Sequence, residues 1–133
     1  MLGIYAQDRL IKTYESWARA SEFVPQVLQE VLEKFSLSRL IYANGPGSYM
    51  GIKISYISLK TLSIVRGIPL FAVSAFALNN FAPIAANRHF CFVYDGGEIT
   101  LKKDVAGEFH LPLSLQELAL SGDNLPFYFL DVI

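Results

Sequence analysis

Cysteine, histidine and charge are all scarce in this 133-residue chain. The single thiol, Cys91, excludes an intrachain disulfide and suits a reducing compartment. It stands in the apolar run His-Phe-Cys-Phe-Val-Tyr, the setting of a buried strand residue. His89 and His110 are the only histidines, one at a strand start and one in a loop, and neither falls in a metal-ligand spacing. Charged residues make up 17% of the chain, carry a net charge of −1 and form no run of one sign, so the basic footprint of a protein that grips nucleic acid alone is missing. No basic start followed by an apolar run marks a secretory signal, and no apolar stretch reaches the ~18 residues of a membrane span. The expectation is a soluble, cytoplasmic, single-domain protein with no metal and no membrane contact.

What is present is apolar surface. Hydrophobic residues make up 53% of the chain, with 10 Phe and 7 Tyr. A small domain has limited interior, so some of this material is expected at the surface as a partner or self-association patch. Leu2–Ala6 and Leu10–Tyr14 predict a β-hairpin around Gln7-Asp8-Arg9. Phe23, Val24, Val27, Leu28, Val31, Leu32 and Phe35 recur at helical spacing, with Ser21 as N-cap and Pro25 near the first turn. Leu40–Ala43 reads as a buried strand, Ser48–Arg66 as a second helix stopped by Gly67, and Pro69–Val73 as a strand. A strand, helix and strand of this length form a βαβ unit with parallel strands. Further on, the pattern predicts a third helix from Ser74 interrupted near Pro83. It also predicts a hairpin of His89–Tyr94 with Ile99–Lys103, a short helix over Ser114–Leu120 and a last strand over Pro126–Leu130.

The second helix has two apolar faces. Met50, Ile54, Ile57, Ile64 and Val65 share one, and Ile52, Tyr56 and Leu59 the opposite one, with Lys53, Ser55, Ser58 and Lys60 between. The Met50 face is expected to lie on the sheet and the Ile52 face to be external. Either the first helix covers that external face or the helices of a partner complete a bundle there.

The run Gly45-Pro46-Gly47-Ser48-Tyr49-Met50-Gly51-Ile52-Lys53 resembles the Gly-Pro-Gly-Ser-Phe-Thr-Gly-Leu-Arg signature of the TsaB (YeaZ) family. Gly67-Ile68-Pro69-Leu70 with Val73-Ser74 resembles the family's Gly-Ile-Pro-Leu…Val-Ser stretch, and Tyr94-Asp95 with Gly97-Glu98 its Asp-Ala-Arg-x-Gly-Glu hairpin without the Arg. The family's first strand carries Asp-Thr-Ser, which is missing here. Leu2–Ser16 is closer to the family's second and third strands, so either Leu2–Ala6 replaces the first strand or another segment fills the gap.

The resemblance implies an α/β fold: a ribonuclease H-like, actin-like ATPase (ASKHA) domain with a mixed sheet, helices and a reduced second lobe. Residues 1–88 would form the half-domain and 89–133 the remnant of the second lobe. It implies a non-catalytic scaffold that pairs with the catalytic subunit TsaD in making threonylcarbamoyladenosine next to the tRNA anticodon. An accessory ATPase would dock on the complex, tRNA would be met only through it, no cofactor would be held, and the isolated chain would form a homodimer. The metal-binding His-x-x-x-His pair of TsaD has no counterpart here, and nothing supports the family's older glycoprotease label. Partner contact is assigned to Tyr49, Ile52, Tyr56 and Leu59, and the motif loop to Gly45, Pro46, Gly47, Ser48 and Gly51. In that loop Gly45 and Gly47 permit a tight turn, with φ > 0 expected at Gly47. Ser48 serves as N-cap, and Gly51 allows close approach of a neighbour. The alternative is a small ATP- or phosphate-binding enzyme using the backbone N–H groups of Gly45–Ser48, although no Lys follows as in a P-loop. A third possibility is a homodimeric module of other function.

Overall fold

The computed structural model describes residues 1–16 and 19–126. Strands β1 (Leu2–Ala6) and β2 (Arg9–Tyr14) form the expected antiparallel hairpin. Its turn residues Gln7 and Asp8 take φ of 50° and 64°, the left-handed geometry whose twist matches paired strands. Helix α1 (Ala20–Lys34) lays Val27 and Val31 on Ile4 of the hairpin, with Phe23, Phe35 and Leu37 around them. The N-cap is Arg19, which makes no side-chain cap, and not Ser21.

Strand β3 (Leu40–Ala43), helix α2 (Tyr49–Arg66) and strand β4 (Leu70–Val73) form the predicted unit, and β3 and β4 pair in parallel from Leu40↔Leu70 to Ala43↔Val73. Gly67 ends α2 with φ 65°, a conformation that costs glycine little, and its N–H donates to the Ser63 carbonyl. The β1–β2 and β3–β4 pairs are separate sheets. Leu2–Ala6 therefore does not take a first strand's place beside β3. Among the described residues the two are linked by their shared helical layer and by an ion pair of 2.6 Å between Arg39 and Asp8.

Strands β5 (Ile84–Ala85), β6 (Cys91–Asp95) and β7 (Glu98–Lys102) form a three-stranded antiparallel sheet. Ile84 and Phe92 pack there on Ala75, Phe76 and Ala43, joining the later part of the chain to β3. Ser121 exchanges both main-chain hydrogen bonds with Ala72 of β4, at 3.0 and 2.9 Å. Asn124 follows, donating to the Leu70 carbonyl at 3.1 Å and accepting from the Tyr42 hydroxyl at 2.5 Å.

Two predicted helices are not formed. After β4 the chain makes a single 3-10 turn, Ala75–Leu78. Asn80 and Phe81 then take φ of 57° each, which ends any helix, and the buried Asn79 amide donates to the Ala82 carbonyl at 2.9 Å. Residues 114–120 likewise contain only a 3-10 turn, Leu115–Glu117, capped by Ser114. The predicted strand from Pro126 to Leu130 lies almost wholly outside the described residues.

Phe76 is fully buried and its ring is flanked by Phe81 and Tyr94, with centroids at 6.4 and 5.7 Å. Phe76→Ala is expected to cost about 3–5 kcal/mol, a large share of a domain's ~5–15 kcal/mol. Urea unfolding checks this, and an unchanged midpoint would show that the cluster contributes little.

Candidate functional site

The glycine loop joins β3 to α2. Gly45 takes φ 118°, where a side chain is strained, and its carbonyl accepts the Ala75 N–H at 3.0 Å, tying the loop to the end of β4. The conformational demand therefore falls on Gly45. Gly47 is not among the positive-φ residues, and a Cβ there would meet only the Ile52 side chain at an ordinary 3.8 Å. Ser48 is the N-cap, its Oγ accepting the Gly51 N–H at 3.2 Å. A Cβ on Gly51 would meet Ser48 itself at 3.4 Å and no other element, so close approach of a neighbour is not its role. These are the bonds of a turn and a cap. Among the described residues no group of His, Cys, Asp and Glu is placed to hold a metal ion.

The two apolar faces of α2 are real, but their orientation is the reverse of the expectation. Ile52 is buried, and Tyr56 and Leu59 pack on Leu40, Tyr42, Leu70 and Ala72 of the β3–β4 pair. The Tyr56 and Tyr42 rings lie 5.8 Å apart. The opposite face looks outward: Met50 is 57% exposed, Ile57 51%, and Ile64 and Val65 72% each. Of the four predicted contact residues, Ile52 is buried and Tyr56 and Leu59 are half-buried against the sheet. Tyr49 alone lies at the surface, with the Lys53 ammonium 5.9 Å from its ring.

Periodicity carries no sign of this orientation, and the structure adds a polar tie at the far end of the buried row. Ser63 continues the row Ile52, Tyr56, Leu59 at helical spacing, and its hydroxyl donates to the Ile68 carbonyl at 2.5 Å, where the chain turns back into β4.

Helix α1 covers α2 from one side only. Between them runs an open, mainly apolar groove lined by Pro25, Leu28, Leu32, Leu62 and Val65 together with Gln29, Ser58, Thr61 and Arg66. Val65 belongs both to this groove and to the exposed apolar face of α2 that carries Met50, Ile57 and Ile64. On the hairpin side of α1, Lys34 bonds Glu30 at 2.7 Å, which holds the Glu30 carboxyl below its usual range and raises Lys34.

Gly47→Ala is expected to leave the melting temperature nearly unchanged, whereas Gly45→Ala should cost about 1–3 kcal/mol. Tyr56→Asp should unfold the chain, because it sets a carboxylate in the core between α2 and β3. Circular dichroism melts of the three variants check both statements. A folded Tyr56→Asp protein would return that residue to the surface.

No known protein-family profile matches the chain. Among curated proteins it is similar to the tRNA threonylcarbamoyladenosine biosynthesis protein TsaB of Bacillus subtilis (strain 168). The two are 32% identical over 97 residues, 67% of this chain and 40% of that protein. The chain thus spans 40% of the length of this curated relative. Among solved structures it is similar to YeaZ from Pseudomonas aeruginosa, with a TM-score of 0.54 and 21% identity over 77% of this chain and 58% of that one. A second structure, titled an uncharacterized protein with similarity to peptidase YeaZ from Pseudomonas aeruginosa, gives a TM-score of 0.53 and 20% identity over 77% and 57%. These two likenesses concern the fold. The curated likeness, the ordered glycine, proline and serine motifs and the β3–α2–β4 unit agree: the chain belongs to the TsaB (YeaZ) family.

Proposed function

We propose that this chain is a non-catalytic scaffold subunit in the biosynthesis of threonylcarbamoyladenosine next to the tRNA anticodon, and that it pairs with a TsaD-like catalytic subunit through the outer face of α1 and α2. In this reading residues 1–88 are a ribonuclease H-like, actin-like ATPase half-domain and residues 89–133 a reduced second lobe. An accessory ATPase of the pathway docks on the complex, tRNA is met only through it, and the protein works in the cytoplasm without a cofactor.

One observation carries the reading: Met50, Ile57, Ile64 and Val65 stand exposed on a helix whose opposite face is already packed on the sheet. Fully burying a large apolar side chain is worth about 1.5–3 kcal/mol, so the row favours association. Contact residues are therefore reassigned from Ile52, Tyr56 and Leu59 to this row and the groove beside it. The same face serves self-association of the isolated chain, so a homodimer and the heterodimer compete for it. The rival reading, a small ATP- or phosphate-binding enzyme, rests on the loop at the start of α2. Its support is weaker, because no Lys follows the glycine loop as in a phosphate-binding P-loop.

Ile64→Glu is expected to stay folded, since the side chain is largely in solvent, and to lose capture by a TsaD-like subunit. Co-purification with circular dichroism as a control checks this, and retained capture would place the contact elsewhere. Calorimetry with ATP and magnesium should show no binding by the isolated chain. Micromolar binding lost on changing Ser48 would favour the enzyme reading.

A further inference from the structure

The face of the β3–β4 pair away from α2 leads to a second surface. Tyr42 and Ala43 are successive strand residues, so their side chains point to opposite sides. Tyr42 meets Tyr56 of α2, whereas Ala43 meets the cluster built on Phe76. Two further rings close over the buried Phe76 toward solvent. Phe81 lies nearly parallel to it, with 6° between the planes and 6.4 Å between centroids, and Tyr94 leans on it at 5.7 Å. Phe81 and Tyr94 also meet each other, at 5.5 Å and 60°. They stay 56% and 45% exposed, so two tilted rings show their π surface to solvent side by side. Phe81 holds this place in a strained backbone. Its φ of 57° is unusual for a bulky residue, and Asn80 before it takes the same value. The Phe81 N–H donates to the Phe76 carbonyl at 2.9 Å, which ties the residue to the ring that it covers.

Carboxylates border this pair of rings. Asp95 follows Tyr94 and stands opposite Glu98 across the β6–β7 turn. The stretch that carries Glu108 is bound along the turn that carries Phe81. The Gly107 N–H donates to the Pro83 carbonyl at 2.9 Å, and the His110 N–H to the Leu78 carbonyl at 2.7 Å. Glu98 and Glu108 are exposed and enter none of the ion pairs formed among the described residues. Asp95 meets Lys102 at 3.4 Å, a contact between two solvated groups. Exposed π faces bordered by negative charge attract a cation and repel the phosphates of a nucleic acid. A guanidinium uses both features at once. It lies flat on an aromatic ring and donates in a fork to a carboxylate, which an ammonium cannot do. We propose that Phe81 and Tyr94 receive an arginine side chain from a basic segment of a partner protein, with Glu98 and Glu108 pairing with the charges of that segment. This surface and the α1–α2 face lie on opposite sides of the β3–β4 pair, so the inference stands independently of the reading of that face.

Fluorescence anisotropy of a labelled oligo-arginine peptide titrated with the full chain tests this. Tyr94→Leu keeps apolar bulk and loses the π face, and Phe81→Asn suits the left-handed backbone. Each should weaken binding about tenfold, with circular dichroism as the folding control. Glu98→Gln/Glu108→Gln should weaken it as well, and an oligo-lysine peptide should bind less tightly than the arginine one. No binding of the arginine peptide, or binding that Tyr94→Leu or the double glutamine variant leaves unchanged, would overturn the proposal. Equal binding of the two peptides would overturn it too, since charge alone would then account for the contact. A labelled single-stranded RNA that binds the chain and is released by Tyr94→Leu would replace it with base stacking on the same rings.

Discussion

Helix α2 can turn only one of its two apolar faces to the β3–β4 pair. Tyr56 and Leu59 face the sheet, closing on Tyr42, Leu70 and Ala72, and Ile52 in the same row is buried. Once that contact forms, the Met50–Ile57–Ile64 row has to face outward. Helix α1 cannot cover it, because α1 spends Val27 and Val31 on the β1–β2 hairpin. The exposed row is thus a consequence of the interior, and the interior is settled by a tyrosine pair whose ring centroids lie 5.8 Å apart.

Much of this was legible in the residues. The hairpin, α1, the parallel βαβ unit and the later hairpin follow from apolar periodicity and from turn signals at Gln7-Asp8, Gly67 and Gly96-Gly97. The exchange of faces on α2 was not legible from periodicity, because both faces are apolar and a helical wheel carries no sign for inside. The missing third helix had a local cause that propensity does not weigh: two successive left-handed residues, Asn80 and Phe81, held beside a buried asparagine amide. The emphasis on Gly47 failed for a related reason. Two glycines flank Pro46, and composition cannot tell which one takes the strained conformation that the structure gives to Gly45.

The relation to the TsaB relative has a physical side as well. The likeness covers 40% of that protein, and the described strands fall into three sheets, with the β1–β2 and β3–β4 pairs separate from one another. Continuity across the division comes from the α1–α2 layer above it and from the Arg39–Asp8 ion pair. The helices therefore have two tasks, joining the halves from within and presenting the apolar band without. A substitution that loosens α1 from α2 should be felt in both.

The strap formed by Ser121 and Asn124 along β4 has a meaning in time. The groups that meet at the Leu70 carbonyl are 54 residues apart in the chain. During synthesis at about 5–20 residues per second, β4 emerges several seconds before the segment that will cover it. For that interval the β3–β4 pair, already roofed by α2, presents an open strand edge, the kind of surface on which nascent chains pair wrongly with their neighbours. The vulnerable interval therefore runs from the emergence of Val73 to that of Ser121, and a nascent-chain chaperone that shields strand edges would matter most there.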